Sequence, residues 1–330
     1  METDQNYVRL AEKIFMGDSR LIPKLFAAAA SPDEAEVLLA LPGTAASVAE
    51  ALSIGEDRAA DMLDTLFRKG LVFKKAAGDG TAYRMCRDIM QFHDASILWP
   101  EAPRSFLDLW QEFMEEEWPA FSEMVEKALP RPVTRVVPVS ESVDARQQIL
   151  AHEDVRRMVE EAGVIAVTNC TCRLIARKCD KPVEICMQLG KAATYALDRG
   201  TGRPLGKGEA LELLEKAERA GLVHVTMNRS AGTHFICNCC DDCCMTFPML
   251  INRQLKMCDP SRFVAKVNAS LCDSCGECLE RCYFGALELP EGAGASIDGE
   301  ACMGCGLCQV VCPIGAIALE EAREADFIPG

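Results

Sequence analysis

Two runs of cysteine dominate the carboxy-terminal part of the chain: Cys272-x2-Cys275-x2-Cys278-x3-Cys282 and, 30 residues later, Cys302-x2-Cys305-x2-Cys308-x3-Cys312. The repeat extends past the sulfurs, since CYFGALEL is matched by CPIGAIAL, pairing Gly285 with Gly315, Ala286 with Ala316 and Leu289 with Leu319. Such self-similarity at a fixed offset reads as one structural unit used twice. Three cysteines spaced two residues apart let one short loop point three thiolates into one volume. Gly276, Gly304 and Gly306 permit the positive φ and close backbone approach this needs. Zinc also accepts four thiolates in Cys-x2-Cys spacing, but its sites have no use for a third cysteine two residues further on, repeated.

Those eight are part of 19 cysteines in 330 residues. Nineteen is odd, so complete pairing as disulfides within one chain is excluded. The amino-terminal METDQNYVRLAEKIF lacks a basic region followed by an apolar one, and no uninterrupted apolar run reaches the roughly 18 residues a bilayer span needs. A cytoplasmic, reducing compartment is the expectation, where thiols serve metals or redox chemistry. The net charge of -15 divides unevenly: 13 basic and 23 acidic residues over 1–130 (net -10), 20 and 16 over 131–270 (net +4), and 2 and 11 over 271–330 (net -9). The acidic carboxy-terminal segment suits steering toward a basic partner surface, or serves solubility alone.

The carboxy-terminal pattern resembles bacterial two-cluster 4Fe-4S ferredoxins, whose three close cysteines plus a fourth have this spacing. The resemblance implies crossed ligation: Cys272, Cys275, Cys278 and Cys312 for one cluster, and Cys302, Cys305, Cys308 and Cys282 for the second. Pro313 follows Cys312 as in the family, whereas Tyr283 follows Cys282 where the family has proline.

Nine further cysteines lie in the middle of the chain. The apolar, β-branched run VIAVT (164–168), preceded by an amphipathic helix at about 144–162, reads as a strand. The loop after it presents Cys170, Cys172, Cys179 and Cys186 among Arg173, Arg177, Lys178 and Lys181, which favour thiolate over thiol. A third iron-sulfur cluster is the expectation, with zinc the weaker alternative. The block HFICNCCDDCCMTF holds Cys237, Cys239, Cys240, Cys243 and Cys244, either a further cluster or a completion of the site begun at Cys170. Adjacent pairs cannot all face one way on a strand, so a loop or helix start is expected there, with Asp241 and Asp242 as caps or outward acids. Its Cys-Cys pairs resemble those of the noncubane-cluster proteins of heterodisulfide reductases, with departures at Asp241 and in the wider spacing. Cys86 and Cys258 stand apart and read as packing residues.

The stretch RGTGRPLGKGEA lacks the spacing of a phosphate loop and of a dinucleotide site, so no nucleotide or flavin site is expected. The four histidines, His93, His152, His224 and His234, have no ligand spacing. At the amino terminus, Ser31-Pro32-Asp33-Glu34 is a capping-box start. Helices at about 32–41, 44–53 and 56–69 then lead through Gly70 to a hairpin, LVFKKAAGDGTAYRM, an order that resembles a winged-helix domain. In that family the third helix enters the major groove. Here it carries Glu56, Asp57, Asp61 and Asp64, so protein contact or dimerisation is expected rather than nucleic-acid binding. SFLDLWQEFMEEEWPAFSEMVEKAL reads as helical packing and RPVTRVVPV as a proline-bounded linker. An echo links Gly70-Leu71-Val72 before Cys86 to Gly221-Leu222-Val223 before Cys237, which suggests a second helix-plus-hairpin unit.

The expected fold is α+β: a helical winged-helix-like domain (1–130), a cysteine-rich α/β domain (131–260) and a ferredoxin-like two-cluster domain (261–330). The leading function is an electron carrier with two 4Fe-4S clusters and one or two more, serving a redox partner in anaerobic metabolism. A reductase with an open-site cluster within 170–244 and a redox-sensing winged-helix regulator are the alternatives. Homodimerisation through the amino-terminal domain is the further partner expectation.

Overall fold

A computed structural model describes residues 5–78, 80–139, 150 and 153–330. These mix helix and strand in two compact units, one comprising the chain up to Pro119 with Leu174–Ala176 and Tyr195–Gly202, the other Ala120–Arg173, Arg177–Thr194 and Arg203–Gly330.

The first unit contains helices α1 (Gln5–Lys13), α2 (Ile22–Ala29), α3 (Pro32–Ala40), α4 (Ala45–Leu52) and α5 (Glu56–Arg68), the hairpin β1 (Val72–Ala77) and β2 (Gly80–Met85), and helices α6 (Ile89–Ser96) and α7 (Arg104–Glu116). The Ser31 hydroxyl accepts from the Glu34 amide and the Glu34 carboxylate accepts from the Ser31 amide, closing the capping box that starts α3. Stacked Phe26 and Phe92 and the buried Trp110 form the aromatic centre of this unit. Gly70 follows α5 with φ +81°, and a Cβ there would stand 2.4 Å from the Ala95 carbonyl oxygen, so the turn into β1 requires glycine.

Along the rest of the chain come α8 (Trp118–Ala128), β3 (Thr134–Val137), α9 (Val155–Glu161), β4 (Ile165–Asn169), α10 (Thr171–Ala176), β5 (Glu184–Leu189), α11 (Lys191–Asp198), β6 (Gly202–Pro204), α12 (Lys207–Arg219), β7 (Val223–Met227), β8 (Phe235–Cys239) and α13 (Phe247–Arg253). A six-stranded sheet of order β3-β7-β8-β5-β4-β6 organises the second unit. The β3/β7, β7/β8, β8/β5 and β5/β4 pairs are antiparallel, unlike the parallel crossovers of a strict α/β sheet. The expected linker 131–139 contains β3 instead, because its valines are buried: Val136 and Val137 are fully inaccessible on opposite faces of the sheet. Of the helix expected at 144–162, residues 144–149 and 151–152 lie outside the described residues, and α9 supplies the end. The echo around Gly221 corresponds to α12 followed by the β7–β8 hairpin.

Strand alternation gives this sheet two distinct sides. Val137, Ile165, Val167, Met187 and Ile236 pack with α9 and α12 residues on one. Val136, Val223, Val225, Cys237 and Cys239 pack on the other with Phe247, Met303, Leu307 and Cys305. Beyond α13, strands β9 (Phe263–Val267) and β12 (Ile317–Glu321) pair antiparallel, as do β10 (Leu287–Glu288) and β11 (Ser296–Ile297), with α14 (Leu307–Val310) between β11 and β12.

Arg262 is tied to Glu153 by two short contacts, Nε to Oε1 at 2.6 Å and Nη2 to Oε2 at 3.1 Å, with both side chains almost fully buried. Removing Glu153 leaves the buried Arg262 charge only the longer contact to the part-exposed Glu321 carboxylate at 3.6 Å. Glu153→Gln is therefore expected to lower unfolding stability by about 3–5 kcal/mol, read as a reduced denaturant midpoint.

Candidate metal centres

The carboxy-terminal cysteines line two cavities. One is bounded by Cys272, Cys275, Cys278 and Cys312, and the other by Cys282, Cys302, Cys305 and Cys308. The fourth sulfur of each thus comes from the other repeat. Backbone geometry explains how loops this short converge: Gly276, Gly304 and Gly306 have φ of +81°, +63° and +83°. A Cβ on Gly304 would stand 2.1 Å from the Phe263 carbonyl oxygen and 2.2 Å from Ser261 Oγ. Amides also face the sulfurs, Ala295 N–H donating to Cys272 Sγ at 3.4 Å and Ala316 N–H to Cys312 Sγ at 3.2 Å.

Burial is uneven between the two. Cys275 is exposed in the first cavity, beside exposed Leu271 and Ile314 and the acids Asp273 and Glu277. In the second, burial first and then the neighbouring Cys302 and Cys282 push the Cys305 thiol up to about 12. Cys308 is raised by burial and by the charges of Cys305, Cys302, Cys282 and, across from the other cavity, Cys278.

The middle cysteines form two groups that do not follow their order in the chain. In one, neighbouring thiols influence each other's ionisation around a ring: Cys170 and Cys172, Cys172 and Cys244, Cys244 and Cys239, Cys239 and Cys237, Cys237 and Cys186, and Cys186 and Cys170. Donation from Cys172 and Cys186 holds Cys170 well below the ordinary thiol range, and donation from Cys172 and Cys239 does the same for Cys244. In the other group, Cys179 Sγ lies 4.0 Å from Cys240 Sγ and 3.7 Å from Cys243 Sγ. An Asp242 carboxylate oxygen joins them, with all four donor atoms within 4.8 Å of one another.

This grouping takes Cys179 away from Cys170, Cys172 and Cys186; of Cys237–Cys244, left open between a further cluster and completion of the Cys170 site, it puts Cys237, Cys239 and Cys244 with that site and Cys240 and Cys243 with Cys179. The expectation of a loop for the second block holds for Cys240, Cys243 and Cys244 and is corrected for Cys237 and Cys239, which stand two apart on β8 and so share one face. Thr168 pairs with Cys186 across β4 and β5, which brings Cys170 and Cys172, at the start of α10, beside Cys186. Asp241 and Asp242 also separate: Asp241 pairs with Lys181 at 3.5 Å, whereas Asp242 faces sulfur and accepts from the Cys243 amide at 2.7 Å.

Arg173, grouped from sequence with the other loop cations, is buried, whereas Arg177 and Lys178 are exposed. Its guanidinium donates to the Pro182 and Asn238 carbonyls and to Cys240. Burial opposes its charge, but the sulfurs of Cys170, Cys240 and Cys186 together raise its pKa above the ordinary value. Asn238, on the reverse of β8 from Cys237 and Cys239, lies 2.6 Å from His224 Nδ1, and His224 Nε2 lies 3.1 Å from Glu218. Tyr283, the departure from the proline pattern, donates to the Gly221 carbonyl and accepts from Lys181 Nζ at 3.0 Å. Nothing in the sequence marked Asp242, Asn238 or Tyr283 for these positions, because each is defined by partners at least 40 residues away or across a strand. Cys86 and Cys258 are buried, Cys258 within the apolar cluster behind β7.

The model of the 4Fe-4S dicluster domain family matches residues 271–316. A comparison with curated proteins gives no match. The chain carries a two-cluster 4Fe-4S ferredoxin domain at its carboxy-terminal end, which supports iron-sulfur clusters and an electron-transfer role. No helix among the described residues is long and apolar enough to cross a membrane. Gly304→Ala is expected to disturb the second cavity and spare the first, since the added methyl collides with the Phe263 backbone. EPR of the anaerobically purified, reduced variant should show one ferredoxin signal lost and one kept.

Proposed function

We propose that this chain is an electron-transfer protein that passes single electrons between a redox partner docked at the Cys275 side of the ferredoxin segment and the cysteine-rich middle segment. The observation that carries this reading is the partition of eight sulfurs between two cavities, four to each, with each cavity drawing one sulfur from the other repeat. By the family pattern, Cys272, Cys275, Cys278 and Cys312 hold one 4Fe-4S cluster, and Cys302, Cys305, Cys308 and Cys282 hold the other. Bound there, the clusters supply one-electron redox capacity at a potential set by charge, hydrogen bonds to sulfur and exposure.

The protein's own residues bear on each part. Exposed Leu271 and Ile314, set among Asp273 and Glu277, offer a partner an apolar centre with an acidic rim. Cys278 bears electrostatically on Cys308, which supports reading the two sites as neighbours. Cys305 shares one apolar cluster with Cys237 and Cys239, linking the inner cavity to the sulfur ring. Six sulfurs exceed what one tetrahedral ion takes, so the ring is assigned a further polynuclear iron-sulfur centre. This division of labour follows the three segments 1–130, 131–260 and 261–330.

The winged-helix-like segment is read as a protein-contact or dimerisation domain. Glu56, Asp57, Asp61 and Asp64 are exposed on α5, Arg58 pairs with Asp33 at 2.7 Å, and Lys74 pairs with Asp64 at 2.8 Å. Acids thus occupy part of the basic surface a DNA backbone would need. At low salt, where phosphate contacts are strongest, a gel shift with duplex DNA is expected to be absent with or without intact clusters. A retarded band would favour the regulator instead.

Cys312→Ser tests the crossed ligation. It should alter the EPR signal of the cluster assigned to Cys272, Cys275 and Cys278 and leave the other. Loss confined to the second cluster would overturn the assignment. Dithionite should bleach the visible absorbance of the anaerobic protein, and a colourless zinc-only protein would exclude electron transfer by these sites.

A further inference from the structure

Cys179, Cys240, Cys243 and Asp242 differ from the other cysteine sites in how close their donors lie. In the ferredoxin segment, the sulfurs line cavities and form no comparably close donor group among the described residues. Around Cys179 they are nearly in contact, at 3.7 and 4.0 Å. A tetrahedral ion with metal–sulfur bonds of about 2.3 Å places its sulfur ligands about 3.8 Å apart. A cubane keeps each thiolate on a different iron and holds them apart with its own core. Donor number agrees with spacing: three sulfurs and one carboxylate complete a single tetrahedron and leave nothing over.

Charge gives a second, independent reason. Cys240 and Cys243 are buried, and Asp242 is held against them by the Cys243 amide. Three ionised sulfurs and a carboxylate in one partly buried pocket would be unfavourable unless a cation bound among them. Two protein cations bear on the pocket: Arg173, which is 3% exposed, donates to Cys240 and leaves its Nε without a partner, and Lys181, which pairs with Asp241 and acts on Asp242 and Cys240. Together they balance at most two of the four potential negative charges, and the guanidinium's other donors are committed to the Pro182 and Asn238 carbonyls. Burial pushes the Cys243 thiol up to about 11, and the Lys178 amide, which donates to it, offsets this only in part.

We propose that Cys179, Cys240, Cys243 and Asp242 bind one divalent, thiophilic ion, zinc or ferrous iron, as a mononuclear tetrahedral site separate from the sulfur ring and from both ferredoxin cavities. With a divalent ion the site carries a net charge of -2, which Arg173 partly offsets. Asp242 is the hard ligand among three soft ones and so the one a ligand from solution would displace first. Cys179 comes from the loop after α10 and the other three from the loop after β8, so the ion also ties these two loops together.

The test compares metal and acid-labile sulfide per chain in anaerobically purified full-length protein and in Cys179→Ser. The expected result is the loss of one metal ion per chain, identified as zinc or iron by elemental analysis, with sulfide and the ferredoxin EPR signals unchanged. Loss of sulfide together with several irons would mean a cluster at this position, and unchanged metal content would mean no site; either overturns the proposal. Should Cys179→Ser fail to fold, Asp242→Asn serves instead. A chelator should remove one ion from it at least tenfold faster than from the wild type, while Asp242→Cys keeps the ion. Equal removal rates in Asp242→Asn and wild type would overturn the role of the carboxylate. Because sulfide and the ferredoxin signals are read in the same samples, failure here is distinguishable from failure of the electron-transfer reading.

Discussion

Strand β8 serves both faces of one sheet, and the alternation of its side chains organises what lies on each. Cys237 and Cys239 turn toward the face that packs with Cys305 and Phe247, while Ile236 and Asn238 turn toward the core beneath α12. Asn238 is held there by His224 and by the Ile185 carbonyl, and its own carbonyl receives Arg173. The same five residues therefore set two ring sulfurs in place and anchor the buried cation beside them. A shift of register by one residue would bury Asn238 among sulfurs and send the cysteines into the aliphatic core.

Electrostatics imposes the next constraint. Sulfur ligands ionise when they bind metal, and unpaired charge in an interior is costly. Arg173 answers this for the middle segment, set between Cys170, Cys186 and Cys240 so that it bears on both sulfur groups at once. Lys181 plays a related part nearer the ferredoxin segment, where it meets Asp241 and the ring of Tyr283. Tyr283 itself is not a defect in the repeat. Its hydroxyl reaches the Gly221 carbonyl at the turn before β7, a contact proline could not make.

Much of this was legible in the residues. The repeat of 30 residues located the ferredoxin segment, and the glycines next to the cysteines adopt the positive φ their spacing called for. The capping box at Ser31, the helices around it and the hairpin after Gly70 stand within a residue or so of their expected positions, because caps, periodicity and turn residues act locally. The strand at 165–169 was equally visible as a β-branched run. By contrast, β3 was hidden among prolines, and its pairing with β7 depends on residues 90 positions away.

The cysteines divide along the same line. Spacing by itself pointed to iron-sulfur clusters and set out eight thiols as two matching runs, because those cysteines lie on short loops whose reach is fixed by the residues between them. Only the tertiary structure decided how the other nine are shared. Antiparallel pairing of β4, β5 and β8 draws Cys170, Cys172, Cys186, Cys237 and Cys239 to one side, and the loop after β8 adds Cys244 to that ring while delivering Cys240, Asp242 and Cys243 to Cys179. Ligands on different strands are matched by sheet register, a non-local property that no interval along the chain encodes.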